Sequence, residues 1–600
     1  SSYLFGLAAG PFARIEGPAG AVPMSLYCRP SLREHAMEMQ AQLFKYTSEG
    51  IAFYEGFFRT PYPFAKYDLV FCPEYTVGAM EYPGVITFND SFIVRETPSV
   101  DALSVVGKVN LHELAHMWFG NLVTMRWWND LWLNESFADF GCFMAGAGIH
   151  DRLGFESVDS MAFLNFRKNW GYDEDQMIST HPISCEATNT SRAEALFDGI
   201  TYSKGMAVLK QLFFLVGPDR FSENLGRYFS QFAWRNATLH DFLAEMARGS
   251  PADPACDLQR WNADWIETAG LNTVEATYDA AAGRLTLRQG AALSQHPRLR
   301  YHKMKVAFFD AECRPLLVQE LVLLPQAESS YDVTATEAVG VLPNYDDWDY
   351  IKVALNDASA QLFLRHFGRL SELNQLVVLR SLFDMVRDAK MTATSFLEGL
   401  LDSLAQVPLS LLFLRRLGQV VDTCLEYMPT QLASEARTRV FDFFLERARG
   451  EREVDRAKVY KAQLVRLAEA EGQVAVLREM LEESHPFLRL PLSPVEQLEV
   501  LVKLSASPRY SARQKQMWRS FFLERGKSDL GRYYALTLDA LAADAQGLAA
   551  IWNEYISPFR TMSHRDMTYS IAGFFHASKD PHVLEEYHLR FLSDFPAVAN

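Results

Sequence analysis

The sequence predicts an α+β multidomain chain, and three observations predict it. Apolar residues recur at helical spacing over residues 32–57 and through most of 99–270; they alternate with a period of two over 271–355; helical spacing then returns from 357 to the end. At 600 residues the chain is too long for one hydrophobic core and leaves room for about three to five domains. A content of 49% hydrophobic and 22% charged residues excludes global disorder, a collagen-like repeat and a coiled-coil rod.

Taken in order, residues 1–12, with their apolar run from Tyr3 to Phe12, read as a strand. Gly6, Gly10 and Pro11 break the apolar run and no basic residue precedes it, which argues against a signal-peptide core. The chain opens on Ser1 and not Met, so an upstream segment is expected to have been removed. The first helix, about 32–57, carries Met37, Met39, Leu43, Tyr46, Ile51, Phe53, Tyr54 and Phe57 at helical spacing and ends before Thr60-Pro61-Tyr62-Pro63. Short strands at Leu69 to Cys72 and Val85 to Phe88 flank Val77 to Gly84, whose Gly and Pro residues mark a backbone that turns or approaches a ligand closely. The alternation over 271–355, with turns at Ala282-Gly283 and Ala311-Glu312, reads as a small antiparallel sandwich. Beyond it, runs such as Leu373 to Met385, Leu411 to Tyr427 and Val495 to Ser505 suggest stacked helices, without a fixed repeat period. The mixed-charge run Glu451 to Arg466 reads as a solvated helix face.

Charge and cysteine usage narrow the function classes. Against 58 Lys and Arg stand 74 Asp and Glu, a net −16 that repels a phosphate backbone and anionic lipid, so neither nucleic acid nor a membrane is an expected partner. No apolar stretch approaches the ~20 residues that span a bilayer. Seven scattered cysteines without a C-x-x-C pair predict neither a disulfide framework nor a cysteine zinc site, which fits a reducing, cytoplasmic compartment. Sequons begin at Asn89, Asn134, Asn189 and Asn236, but the second lies inside the motif described next, where a glycan would block the site.

That motif is His112-Glu113-Leu114-Ala115-His116, an H-E-x-x-H within a helix expected to start near Ser99 and stop at Gly120-Asn121. Four residues advance a helix by ~400°, so both imidazoles share a face and can hold one cation. Imidazole donors favour zinc, and a catalytic zinc takes three protein ligands and leaves a position for water. Glu135, with eighteen residues between it and His116, supplies a third ligand from a second helix expected to be capped by Asn129 or Asp130. The plain alternative, two satisfied helix histidines and a surface glutamate, is disfavoured: a chance H-E-x-x-H is expected on the order of a few hundredths of a time in such a chain. Asp139, four residues past Glu135, can hold a ligand histidine in its working tautomer. Trp127, Trp128 and Trp132 read as core packing around the site.

With Glu135 in an N-E-S-F-A context, Gly78-Ala79-Met80-Glu81 upstream, and Phe197-Asp198-x-Ile200-x-Tyr202-x-Lys204-Gly205 downstream, the sequence resembles the zinc aminopeptidases of the aminopeptidase N family within the gluzincins. The run from Ser179-Thr180-His181-Pro182-Ile183 to Leu212 looks most like the soluble aminopeptidase N branch. The resemblance implies a thermolysin-like catalytic domain at 16–270, a β-sandwich domain at 271–355 and a helical superhelix at 356–600. It makes residues 1–15 the end of an N-terminal β domain otherwise missing. It implies one zinc per chain held by His112, His116 and Glu135, Glu113 as general base toward water, and Tyr202 as a catalytic phenol. Glu81 would grip the α-amine of a peptide with a free N-terminus, while Gly78, Ala79 and Met80 line the substrate's edge. Tyr82 stands where the family pattern has Asn, and two readings of it stand: a structural prop, or a change that reshapes specificity. The alternatives to an aminopeptidase are a gluzincin with another reaction, epoxide hydrolase-like or endopeptidase, and a non-catalytic scaffold.

Overall fold

The computed structural model describes residues 4–95, 98–153, 160–249, 257–405, 407–482, 491–525, 529–557, 561–576 and 578–598. They form two compact units, one of residues 1–72 with 77–429, the other of 73–76 with 430–600.

The first unit opens on a five-stranded sheet built from β1 (Ala13–Glu16), β2 (Met24–Cys28), β3 (Tyr67–Cys72), β4 (Ala79–Met80) and β5 (Val85–Asn89), in the order β1-β2-β3-β5-β4. The strand expected at residues 1–12 is not there: residues 5–9 have no regular structure, residues 1–3 lie outside the described residues, and pairing starts at Ala13. Two glycines and a proline deny that segment a regular ladder. β2, β3 and β5 pair in parallel, and β4 runs antiparallel to β5 at the sheet's edge. Between β2 and β3 lies α1 (Arg33–Phe57), which buries Met39, Leu43, Tyr46, Ile51 and Tyr54 along one stripe.

α2 (Val100–Ala115) starts as expected, with Ser99 Oγ accepting the Ala102 N–H, but ends four residues earlier than the pattern suggested, at His116. Its placement is tight. A Cβ on Gly107 would come within 2.6 Å of the Tyr46 ring, so only glycine lets α2 lie this close to α1. Tyr54 Oη donates to Leu111 O at 2.9 Å and Asn110 Nδ2 to Thr47 Oγ1 at 2.8 Å, which pins the helix in rotation as well as distance. After β6 (Val123–Met125), a short 3₁₀ turn at Trp128–Asp130 leads into α3 (Leu131–Leu153). Asp130 spends its carboxylate elsewhere, accepting the Leu239 N–H at 3.1 Å. Trp132 is buried, but Trp127 is 52% exposed and donates to Ala187 O, so the expectation of three core tryptophans fails for it. Its partner residue Ala187 is buried, so the N–H end of the indole is anchored inward while the rest of the ring stays in solvent. α4 (Ser160–Asp175) follows.

Residues 272–354 form two further sheets of four and three strands, joined through the Tyr278–Phe308 ring contact at 4.9 Å. They are not wholly antiparallel: Lys352–Ala354 pairs in parallel with Asn272–Asp279. Helices Asp357–Arg365, Glu372–Arg387, Ala393–Leu404 and Leu411–Glu426 complete this unit.

The second unit is helical among its described residues, from Thr430–Gly450 to Pro581–Val598. The charged run at 451–466 is only partly a solvated face. Lys461 is buried and pairs with Glu496 at 2.7 Å, because the helix packs a second neighbour over that side. Six cysteines are free; Cys256 lies outside the described residues. No described helix is long and apolar enough to cross a membrane.

Candidate metal centre and catalytic site

α2 and α3 pack side by side so that His112, His116 and Glu135 each present one ligand atom within 4.8 Å of the others. His112 Nε2 lies 3.1 Å from His116 Nε2, and Glu135 Oε2 lies 3.4 and 3.5 Å from the same two nitrogens. The outer nitrogens are already committed: His112 Nδ1 bonds Asp139 Oδ1 at 2.8 Å and His116 Nδ1 bonds Phe119 O at 3.0 Å. Both acceptors want a proton from Nδ1, so in the neutral rings both Nε2 lone pairs converge on one carboxylate oxygen. Three electron-rich atoms held this way repel one another unless a cation lies among them. The triangle they outline also has the right size, since zinc bonds of ~2.0–2.1 Å in a tetrahedron give ligand separations of about 3.3 Å. The donor set therefore fits zinc.

The electrostatics agree. Burial opposes charge on His112, but hydrogen bonds to Asp139 and Glu135 outweigh it and hold the ring well above its ordinary value. For His116 burial is likewise overcome, by Glu81 and Glu135, and the value rises to about 9. Glu135 is buried, yet the two histidines hold it well below the carboxylate range. The carboxylates thus favour a cation at the two imidazoles, where a metal competes with protons.

Glu113, one residue from His112, is buried; burial first, then Glu81 and Glu135, push its carboxyl up to about 8 against the pull of the histidines. A second grouping of close ligand atoms, Glu81, Glu113 and His116, overlaps the first. Glu81 follows the edge strand β4, with Oε1 3.6 Å from His116 Nδ1. Its backbone is held by Asn121, whose Nδ2 donates to Glu81 O at 2.7 Å. Asn121 also donates its backbone N–H to His116 O at 3.0 Å, so one residue ties the sheet edge to the end of α2. Sequence reading took Asn121 only as a helix stop; its place beside the H-E-x-x-H was the available signal. Gly78, Ala79 and Met80 lie along or beside the edge strand, whose outer side pairs with no other strand among the described residues.

Tyr202 sits in a π-helical turn, Ile200–Lys204. Its ring stacks 6.1 Å from His112 and 5.7 Å from Trp170, and burial, then Glu135, keep the phenol protonated. The turn is clamped to α3. Ser136 Oγ donates to Thr201 O at 2.5 Å, and a Cβ on Gly205 would come within 2.0 Å of that hydroxyl oxygen, so the approach requires glycine. On its other side Asp198 Oδ1 accepts the Ile200 and Thr201 N–H groups, while Asp198 Oδ2 lies 2.6 Å from His181 Nε2. His181 and Asp198 stand in the resembling runs, but their pairing crosses seventeen positions and no sequence pattern announced it. Arg167, also missed, bonds Asp139 Oδ2 at 3.1 Å and lies over Trp170. The structure thus brings Glu81, His112, Glu113, His116, Glu135 and Tyr202 to one place, with Asp139 behind His112. Tyr82 is half-buried against Gly6, where a Cβ would lie 2.5 Å from its ring.

A peptidase family M1 domain matches residues 43–265. Aminopeptidase N of Streptomyces lividans is 36% identical over 433 residues, 68% of this chain and 49% of that protein. A probable aminopeptidase 2 of Sulfurisphaera tokodaii is 34% identical over 278 residues, 46% of this chain and 34% of its own length. A leucyl aminopeptidase of Saccharolobus solfataricus is 32% identical over 292 residues, 48% of this chain and 35% of its own. The chain spans half or less of the length of these relatives. The H-E-x-x-H helix and the glutamate that meets it both lie inside the segment that matches the peptidase family M1 domain.

Proposed function

We propose that the protein is a zinc-dependent aminopeptidase that hydrolyses the N-terminal residue from peptides by attack of activated water on the first peptide carbonyl. The observation that carries this is the buried meeting of two imidazoles and a carboxylate with a further carboxylate, Glu113, beside them. His112, His116 and Glu135 would hold the zinc, which when bound supplies a Lewis acid that polarises a carbonyl and eases deprotonation of water. Glu113 takes the proton from water and delivers it to the leaving amine, a task suited to a carboxyl raised toward neutrality. Tyr202, held as a neutral phenol, donates to the developing oxyanion. Glu81 accepts from the α-ammonium group of the substrate, and the edge strand with Gly78, Ala79 and Met80 receives its backbone by strand addition. Residues 16–270 would form the thermolysin-like catalytic domain, 271–355 the β-sandwich domain and 356–600 the helical domain. The free cysteines support a reducing, cytoplasmic setting.

The deciding assay compares fluorogenic amino-acid amides with a free or a blocked amine, with and without a chelator. Cleavage confined to free amines and abolished by the chelator is expected; equal cleavage of blocked substrates would overturn the role of Glu81. For Asp139, replacement by Ala is expected to weaken zinc affinity about 10- to 100-fold, because His112 loses the acceptor that fixes its tautomer. Unchanged affinity and turnover in a zinc-buffered titration would dispose of that role.

A further inference from the structure

Outside the metal centre, one thiol belongs to a cluster that no step of the proposed reaction uses. Cys185 Sγ lies 3.2 Å from His181 Nδ1, and His181 Nε2 lies 2.6 Å from Asp198 Oδ2. A nucleophile, a base and a carboxylate that orients the base thus follow one another. Cys185 is half-buried, and the side chains of His181 and Asp198 are 22% and 23% exposed, so small solutes reach the group. Among the described cysteines only Cys185 bonds an imidazole; burial pushes the thiols of Cys142 and Cys424 up to about 12.

Geometry makes the His181 ring a cation. Nε2 faces a carboxylate oxygen and Nδ1 faces Pro182 O at 2.7 Å; both are acceptors only, so both nitrogens carry protons. Burial opposes that charge, but hydrogen bonds to Asp198, Cys185 and Pro182 O overcome it and raise His181 to about 10. Lys204 also lies within electrostatic range of Cys185, while Glu174 and Asp198 face His181 with the opposite sign. As a thiol the sulfur donates to Pro182 O at 2.9 Å; as a thiolate it accepts from the imidazolium on its other side. A cation against a partly exposed sulfur is the setting in which cysteines react as nucleophiles.

The cluster is coupled to the turn that carries Tyr202. Asp198 Oδ1 accepts the Ile200 and Thr201 N–H groups, and Asp198 O accepts the Tyr202 N–H at 3.0 Å, so this residue caps the π-helical turn. His181 holds Asp198 from the other side. We infer that Cys185 is an oxidation site through which hydroperoxides switch the Tyr202 turn. The thiolate attacks one oxygen of hydrogen peroxide and becomes a sulfenic acid. An S–O bond forms as the O–O bond breaks, sulfur gives up two electrons to the peroxide, and the departing hydroxide takes the Nδ1 proton of His181 and leaves as water. The new oxygen has to enter a gap of 3.2 Å already filled by one hydrogen bond, so His181 is displaced and Asp198 loses its outer support. A small oxidant suits a half-buried sulfur packed on the apolar cluster of Leu131, Ala187, Ala193 and Leu196; a bulky disulfide does not. The effect on turnover rests on the aminopeptidase reading, whereas the oxidation site does not.

The test exposes the zinc-loaded chain to a small excess of hydrogen peroxide with dimedone present, and reads the trapped cysteine by peptide mass spectrometry. Cys185 is expected to be labelled ahead of every other cysteine, and His181→Gln should slow its labelling about 10-fold by removing the imidazolium. Without dimedone, oxidation is expected to lower kcat on a free-amine amide by about 10- to 100-fold at little change in KM. A thiol reductant should restore kcat, and Cys185→Ala should keep it under peroxide. Hydrogen exchange of the Ile200 and Thr201 amides should quicken on oxidation, because Asp198 is their acceptor. Labelling spread over the cysteines without preference, or equal loss of activity in Cys185→Ala, overturns the inference. So does a labelled Cys185 with unchanged exchange and kcat. Labelling and exchange need neither variant nor substrate, so they decide the matter even if the variants fail to fold. A chain that cleaves no amide, yet is labelled at Cys185 with quickened exchange, would sink the aminopeptidase reading alone.

Discussion

Glu113→Gln is expected to keep a full equivalent of zinc and to lose about 10²- to 10⁴-fold in turnover. The amide has the size of the carboxylate it replaces and removes one acidic group from a buried cluster, so packing of α2 against α3 is kept. It cannot accept the proton that water must lose, nor return one to the departing amine. The three ligand atoms come from His112, His116 and Glu135 and are untouched by the change. Zinc content by elemental analysis and kcat on a free-amine substrate, measured on one preparation, give the answer. Near-normal kcat would refute Glu113 as the base. Loss of zinc would instead move Glu113 into the ligand set through its grouping with Glu81 and His116.

Tyr202→Phe should lower kcat by about 10²- to 10³-fold, the usual loss when one oxyanion donor is removed, with little change in KM. Phenylalanine preserves the ring that stacks between His112 and Trp170, so the π-helical turn and its clamp through Ser136 stay in place. On the proposed mechanism the phenol would make its bond only as the carbonyl oxygen gains charge, so the loss is expected to fall on kcat. A raised KM at unchanged kcat would reassign Tyr202 to ground-state binding. Unchanged kinetics would make it a packing residue, its ordinary role in a helical stretch.

The ligand set was legible because helical geometry is local. A step of four residues from His112 to His116 places both on one face whatever surrounds them, and Asp139 follows Glu135 by the same rule. α1 was legible for a related reason, since a stripe of Met39, Leu43 and Tyr54 has no stable place except against a core. The failures are just as physical. Residues 3–12 have strand-like composition, but composition supplies no partner, and the ladder starts only where Ala13 meets Cys28. The parallel pairing of Lys352–Ala354 joins strands far apart in sequence, which alternation alone leaves undetermined. Lys461 was read as solvated because its neighbours are charged, and only the arrival of Glu496 buries it.

By itself, then, the sequence determined which residue types share a helix face, where helices and strands alternate, and that a histidine pair and a glutamate call for a cation; each follows from a repeat of a few residues. Only the tertiary structure decided that Asn121 ties the sheet edge to α2, that Arg167 stands behind Asp139, and that Arg416 is buried with its Nε and Nη2 unpartnered among the described residues. Those facts depend on which surfaces of distant segments meet, and hydrogen-bond partners, desolvation and cavity shape arise from that meeting. No local pattern encodes them.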